Sequence, residues 1–118
     1  MKTYLAIFTG NAASRKKSGW DDLPDAERRA REKSGIEAWG AWMAKNADDL
    51  VFPGGPLGRT KETSKQGIKD ISNSMAGFVV FTAPSHEAAA KKFEGHPHFT
   101  IFPGDGVEIM EVLPIPGR

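Results

Sequence analysis

Cysteine is absent from the 118-residue chain. That excludes disulfides, thiolate nucleophiles and cysteine-held zinc or iron–sulfur clusters, and it suits a reducing cytoplasm. An excess of charge of either sign is also lacking. Sixteen basic against fifteen acidic residues leave a net charge of +1, far from the basic balance of a sequence-independent phosphate binder, so nucleic acid is not expected as a partner. Long hydrophobic runs are missing too. The opening Met1-Lys2-Thr3-Tyr4-Leu5-Ala6-Ile7-Phe8 is too short to span a bilayer and carries no small-residue cleavage site, so neither anchor nor signal peptide is expected, and no membrane partner. There is no Gly-x-Ser-x-Gly elbow and no phosphate loop ending in Gly-Lys-Ser/Thr, which argues against a covalent hydrolase and a P-loop nucleotide site. These absences leave a cytoplasmic protein, one domain over residues 1–118, with enough apolar residues to bury a core.

The order of elements comes from the residues present. Lys2 to Thr9 reads as a strand, dense in β-branched and aromatic residues and stopped by Gly10-Asn11. Tyr4, Ala6 and Phe8 fall on one face, Leu5 and Ile7 on the other, so this strand belongs in the middle of a sheet covered on both sides. Gly10 to Asp22 is small, polar and basic apart from Trp20, and is expected to be a mobile loop, either a surface excursion or a lid. Asp22 before Leu23-Pro24 marks a helix start, and the helix is predicted over about Pro24 to Asn46. Ala26, Ala30, Ile36, Trp39, Met43 and Ala47 form its core stripe, and Ser34-Gly35 is a weak point where it could bend or break. Trp39 and Trp42 sit three residues apart and cannot share the centre of that stripe, so one of them edges toward a pocket or a subunit contact, unless both are simply core. Leu50-Val51-Phe52 running into Pro53-Gly54-Gly55-Pro56-Leu57 reads as an edge strand with a bulge or kink, whose exposed amides suit the wall of a ligand pocket. Gly58 to Ser74 is polar and mostly irregular, with Lys69 to Ser72 a possible short strand in a hairpin with the strand after it. Ala76 to Thr82 is the clearest strand, the expected partner of the first. Pro84-Ser85 opens a short helix contacting the core through Ala88, Ala89, Ala90 and Phe93, which Gly95 stops. After a loop from Phe99 to Asp105, Val107 to Leu113 closes the domain.

Strand, helix, strand, strand, helix, strand is the order of the ferredoxin-like βαββαβ arrangement, an α+β fold with an antiparallel sheet. Right-handed crossovers put both helices on one face. The other face is apolar and needs a cover, most economically a second copy packed sheet on sheet as a homodimer.

The segments Ala38-Trp39-Gly40-Ala41-Trp42, Gly54-Gly55-Pro56-Leu57, Ala76-Gly77-Phe78, Glu87-Ala88-Ala89, His96-Pro97-His98 and Val107-Glu108-Ile109, in that fold order, resemble the YCII-related family of dimeric α/β-barrel proteins over nearly the whole chain. The resemblance implies a small cytoplasmic homodimer with a cleft beside the sheet, in a family where most members have no established activity. Some members are held to be enzymes that pair a histidine with an aspartate, and a relative acts on a chlorinated ring-cleavage product. That branch carries its histidine in or near the first helix, whereas this chain has none before His86.

Chemistry concentrates in Gly95-His96-Pro97-His98-Phe99, where two imidazoles flank a ring that fixes the backbone. His96 is the candidate general acid or base, if Asp70, Asp105 or Glu108 orients its ring. The competing reading has it stacked on Phe99 and capping the preceding helix. His86, His96 and His98 with a carboxylate supply enough metal ligands on paper, but their spacing is not diagnostic, and neither metal nor cofactor is expected. Two functions are open. In the first, a cleft formed by Tyr4, Trp39, Trp42, Gly55, Pro56, Phe78 and His98, with His96 beside it, binds a small apolar ring or a carboxylate. In the second, a lyase-, isomerase- or dehalogenase-like enzyme moves a proton with His96.

Overall fold

The computed structural model describes residues 1–117. Two aromatic and β-branched runs far apart in sequence make the centre of its main sheet. β1 (Lys2–Thr9) and β5 (Met75–Ala83) pair antiparallel, with Tyr4 opposite Phe81 and Ala6 opposite Val79. β2 (Leu50–Pro56) lies outside β5 and β6 (Gly106–Glu111) outside β1. The order is β2-β5-β1-β6, every neighbouring pair is antiparallel, and the sheet is open, with β2 and β6 as its edges.

Strand alternation sends Tyr4, Ala6, Phe8, Val79 and Phe81 to one face, where all are buried. Trp39 and Trp42 of α2 (Asp25–Lys45), Ala89 of α3 (His86–Lys91) and Phe93 just beyond it pack on that face. A fully buried aromatic side chain contributes roughly 1.5–3 kcal/mol, so Phe8, Phe81 and Phe93 anchor the layer. Leu5, Ile7, Phe78 and Val80 alternate to the opposite face and are only partly covered. Phe52 and Met110, at 52% and 42% exposure, widen that apolar surface at its margins.

Several expectations need correction. Residues 10–22 are not a bare loop: they hold α1 (Ala12–Ser18) and a short 3-10 turn, Trp20–Asp22. Asn11 accepts from the Ser14 N–H while the Ser14 hydroxyl accepts from the Asn11 N–H, a reciprocal cap, and Trp20 is buried against Phe102. α2 has the expected length, but its cap position is Pro24 rather than Asp22, and the helix runs unbroken through Ser34-Gly35. Gly35 is the buried residue of α2, because the Phe102 ring lies where its side chain would be. Ala26, Ala30, Ile36 and Ala47 are exposed, not core; the residues of α2 that pack against the core cluster are Trp39 and Trp42, in its second half, and Ala47 lies past the helix in a 3-10 turn. Ala90 is exposed as well.

β3 (Thr60–Ser64) and β4 (Gly67–Ile71) pair with each other as a separate hairpin, so the strand around Lys69 pairs with the segment before it and not with β5. Lys61 meets Asp70 at 2.7 Å across this hairpin and Lys69 meets Glu62 at 3.6 Å. Hairpin and overhanging helix extend the chain to a radius of gyration of 16.3 Å, against about 13.5 Å for a compact domain of this length. α4 (Pro97–Thr100) replaces part of the expected loop after His98, and β6 ends at Glu111.

Candidate functional site

The kinked edge strand and the overhanging helix together create a cavity of about 480 Å³. Phe8, Gly77, Phe78 and Val79 line it from the sheet, and Ile36, Trp39, Gly40 and Met43 from α2. Pro53, Gly55 and Pro56 form the β2 side, and His98 and Phe102 the remaining wall. The β2 side stands where it does because the β2–β5 register slips between Leu50 and Phe52 and again between Phe52 and Gly55. Gly54 takes φ +68° at the second slip, with its Cα pressed against the Phe78 carbonyl. Gly40 leaves open space at the mouth: nothing lies within 4 Å of where its side chain would start.

His98 is the one titratable side chain of this lining, and Trp39 adds an indole N–H. Its backbone N–H, at the start of α4, donates to His96 Nδ1 at 3.0 Å, and its Nε2 meets the Thr9 carbonyl at 2.7 Å. That carbonyl lies where the β1–β5 register slips, and it also accepts from the Asp105 N–H at 2.9 Å. Burial pushes the His98 pKa below the ordinary imidazole value, opposed by the Thr9 carbonyl and Asp105.

Of the residues singled out from sequence, Trp39, Gly55, Pro56, Phe78 and His98 come together at the cavity. Tyr4 does not: its ring packs on Phe81 and His86, and its buried hydroxyl has no partner. Trp42 lies on Phe93 at 4.9 Å and donates its Nε1–H to the Lys92 carbonyl at 2.8 Å. Both tryptophans pack against the core, and Trp39 also lines the cavity. Phe8, Ile36, Met43, Pro53, Val79 and Phe102 were not singled out. The alternation that places Phe8 with Tyr4 was readable, but not which end of that face stays open.

His96 lies beneath the wall rather than in it. It is 1% exposed and enclosed by Phe8, Trp39, Trp42 and Phe93 at ring separations of 5.1, 4.6, 5.1 and 5.7 Å. Its side chain caps the start of α4 rather than the end of the preceding helix, and Phe99 is not among the rings around it. Nε2 is buried without a partner, and none of Asp70, Asp105 and Glu108 hydrogen-bonds the ring. Asp70 is engaged by Lys61, and Glu108 sits opposite Ile7 on the other sheet face. Burial, with a smaller contribution from His98, holds the His96 pKa down to about 4, so the ring is neutral at physiological pH. Among the described residues no three His, Asp or Glu side chains converge as a metal site. His86 is turned to the Ile109 carbonyl at 2.7 Å, away from the other two.

Among the described residues no helix is long and apolar enough to cross a membrane. Scanned against known families, the chain matches none, and among curated proteins it matches no sequence. Among solved structures it is similar to the 5-chloro-2-hydroxyhydroquinone dehydrochlorinase of Burkholderia phenoliruptrix AC1100, solved in complex with 2,5-dihydroxybenzoquinone. The TM-score is 0.53 at 14% identity, over 92% of this chain and 90% of that one. At that identity the likeness is one of fold: a mixed α+β chain built on an antiparallel sheet.

Proposed function

We propose that this chain binds a planar, largely apolar small molecule in the cavity between α2 and the sheet. Phe8, Trp39, Gly55 and Pro56 contact its faces, and His98 contacts its polar substituent. The observation that carries this reading is the lining itself, aromatic and aliphatic throughout with a single imidazole, which is the composition of a ring-binding pocket. The fold neighbour's complex with a dihydroxybenzoquinone supports a ring as the occupant. Titration with 2,5-dihydroxybenzoquinone and with naphthalene-based rings, followed by calorimetry, is expected to saturate at one molecule per chain. Failure of every ring to saturate overturns the reading.

The ferredoxin-like order and the homodimer of an α/β barrel, in a cytoplasmic protein, belong to the same proposal. Leu5, Ile7, Phe78 and Val80 form an apolar sheet face that nothing within the chain covers fully, and a second copy placed sheet on sheet covers it. Val80→Glu puts a charge at the centre of that face, opposite Leu5. It is expected to raise the dimer dissociation constant about a hundredfold or more, since an unpaired charge buried at an interface costs several kcal/mol. Sedimentation equilibrium checks this, and an unchanged dimer, or a monomeric parent protein, contradicts it.

The second reading, an enzyme of the lyase, isomerase or dehalogenase-like kind working through His96, draws no support from the position of that ring. A general base must reach the proton it abstracts, and His96 is sealed off by four aromatic rings with no carboxylate to orient it.

A further inference from the structure

The hydrogen bonds around His98 say which kind of polar substituent the cavity accepts. A carbonyl oxygen can only accept, so the 2.7 Å contact with Thr9 requires the proton on His98 Nε2. In the neutral ring Nδ1 is then a bare lone pair. No described residue donates to it, and it is not one of the two sealed polar atoms, which are Tyr4 Oη and His96 Nε2. Nδ1 is thus an accessible acceptor without a protein partner, on a side chain that lines the cavity.

The ring is also held in place. Gly104 donates its N–H to the His98 carbonyl at 3.0 Å, and its Cα lies so close to the imidazole that a side chain there would overlap Nε2. The peptide after it, Asp105, shares the Thr9 carbonyl. Rotating the ring to present an N–H to the cavity would abandon the Thr9 bond and leave that carbonyl with one donor fewer.

We propose that His98 makes the cavity selective for rings bearing a hydroxyl donor, and selective against carboxylates, by presenting an Nδ1 lone pair locked in place by Thr9 and Gly104. This rests on the ring-binding reading above and names the class of ring. A hydroxyl satisfies the lone pair and gives up few water contacts elsewhere. A carboxylate brings a charge and only acceptor atoms into an apolar lining that offers it no cationic side chain, which is costly.

The test is a matched set of probes, 2-naphthol, 2-methoxynaphthalene and 2-naphthoate, titrated calorimetrically against the full chain at neutral pH. The naphthol is expected to bind about tenfold more tightly than its methyl ether, the factor set by one net hydrogen bond, and the naphthoate most weakly. In His98→Phe the preference for naphthol over the ether should fall to about one, while the ether's own affinity stays within a few-fold. Equal binding of naphthol and ether by the wild type, or tightest binding of naphthoate, overturns the donor selection and leaves the ring-binding reading standing. Absence of binding by all three overturns both. If His98→Phe does not fold, nitrogen NMR of the wild-type imidazole decides: a proton on Nε2 with Nδ1 bare is required, and the reverse tautomer overturns the proposal.

Discussion

Gly54→Ala is expected to destabilise the fold by about 2–5 kcal/mol, a large share of the whole stability of a domain this size. Two costs add. Gly54 sits at φ +68°, where an L-residue pays roughly 1–2 kcal/mol. A methyl group there would also overlap the Phe78 carbonyl on β5, and overpacking against an immovable neighbour costs about 1–3 kcal/mol. Backbone of a central strand cannot move aside as the end of a flexible side chain could. Gly55→Ala is the control: nothing lies within 4 Å of its added carbon, so its cost is expected below about 1 kcal/mol. Urea denaturation of the two variants checks the contrast, and similar midpoints would show that the kink in β2 is not built on Gly54.

Acidification is expected to remove roughly 3 kcal/mol of stability between pH 7 and pH 4 through His96 alone. The folded-state pKa of about 4 lies below the ordinary imidazole value of 6.5. Between these limits the unfolded chain binds the proton that the folded chain refuses. Stability is therefore complete above pH 6.5 and declines as pH falls toward 4. The groups that pack on His96 are Phe8 from β1, Trp39 and Trp42 from α2, Phe93 and His98. Only His98 among them titrates, and its lowered pKa acts in the same direction. Proton NMR of the native protein should show a His96 ring that does not titrate above pH 5, with denaturation midpoints falling in parallel. A His96 midpoint near 6.5 would contradict the burial.

How far the fold could be read in the sequence depended on whether a segment's pattern is completed by the core. β1 and β5 are apolar on both faces and were placed correctly in the sheet centre, and the prolines and glycines of β2 marked an edge. α1 was missed because its Arg15-Lys16-Lys17 run has no apolar stripe. Its signals were local, Asn11 and Ser14 at capping-box spacing and Gly19 at φ +75° after the last turn. The hairpin differs from expectation because β3 and β4 are mostly exposed and their sequences carry no apolar alternation. The α2 stripe failed for another reason. Periodicity says which residues share a face, but not how much of that face is covered, and Ala26, Ala30 and Ile36 stay exposed.

The site was legible in part for the same reason. Trp39, Gly55, Pro56, Phe78 and His98 were named, and the structure brings them together. Tyr4 was drawn into the core by Phe81, and Trp42 by Phe93 and the Lys92 carbonyl. Residue types could not rank His96 against His98. In a His-Pro-His turn, which imidazole reaches a cavity is decided by which backbone groups the rings find, the His98 N–H for one and the Thr9 carbonyl for the other. The Thr9 carbonyl is 89 residues away in sequence.

The most direct test of ring binding is Gly40→Phe. The position is exposed, lines the cavity and has open space where a side chain would start, so a phenyl group there is expected to obstruct the mouth. Replacing a mid-helix glycine also favours the helix by about half a kcal/mol. The variant should melt at or above the wild-type temperature and bind 2-naphthol at least a hundredfold more weakly in calorimetric titration. Wild-type affinity in a stably folded Gly40→Phe would place the ligand elsewhere and contradict the account.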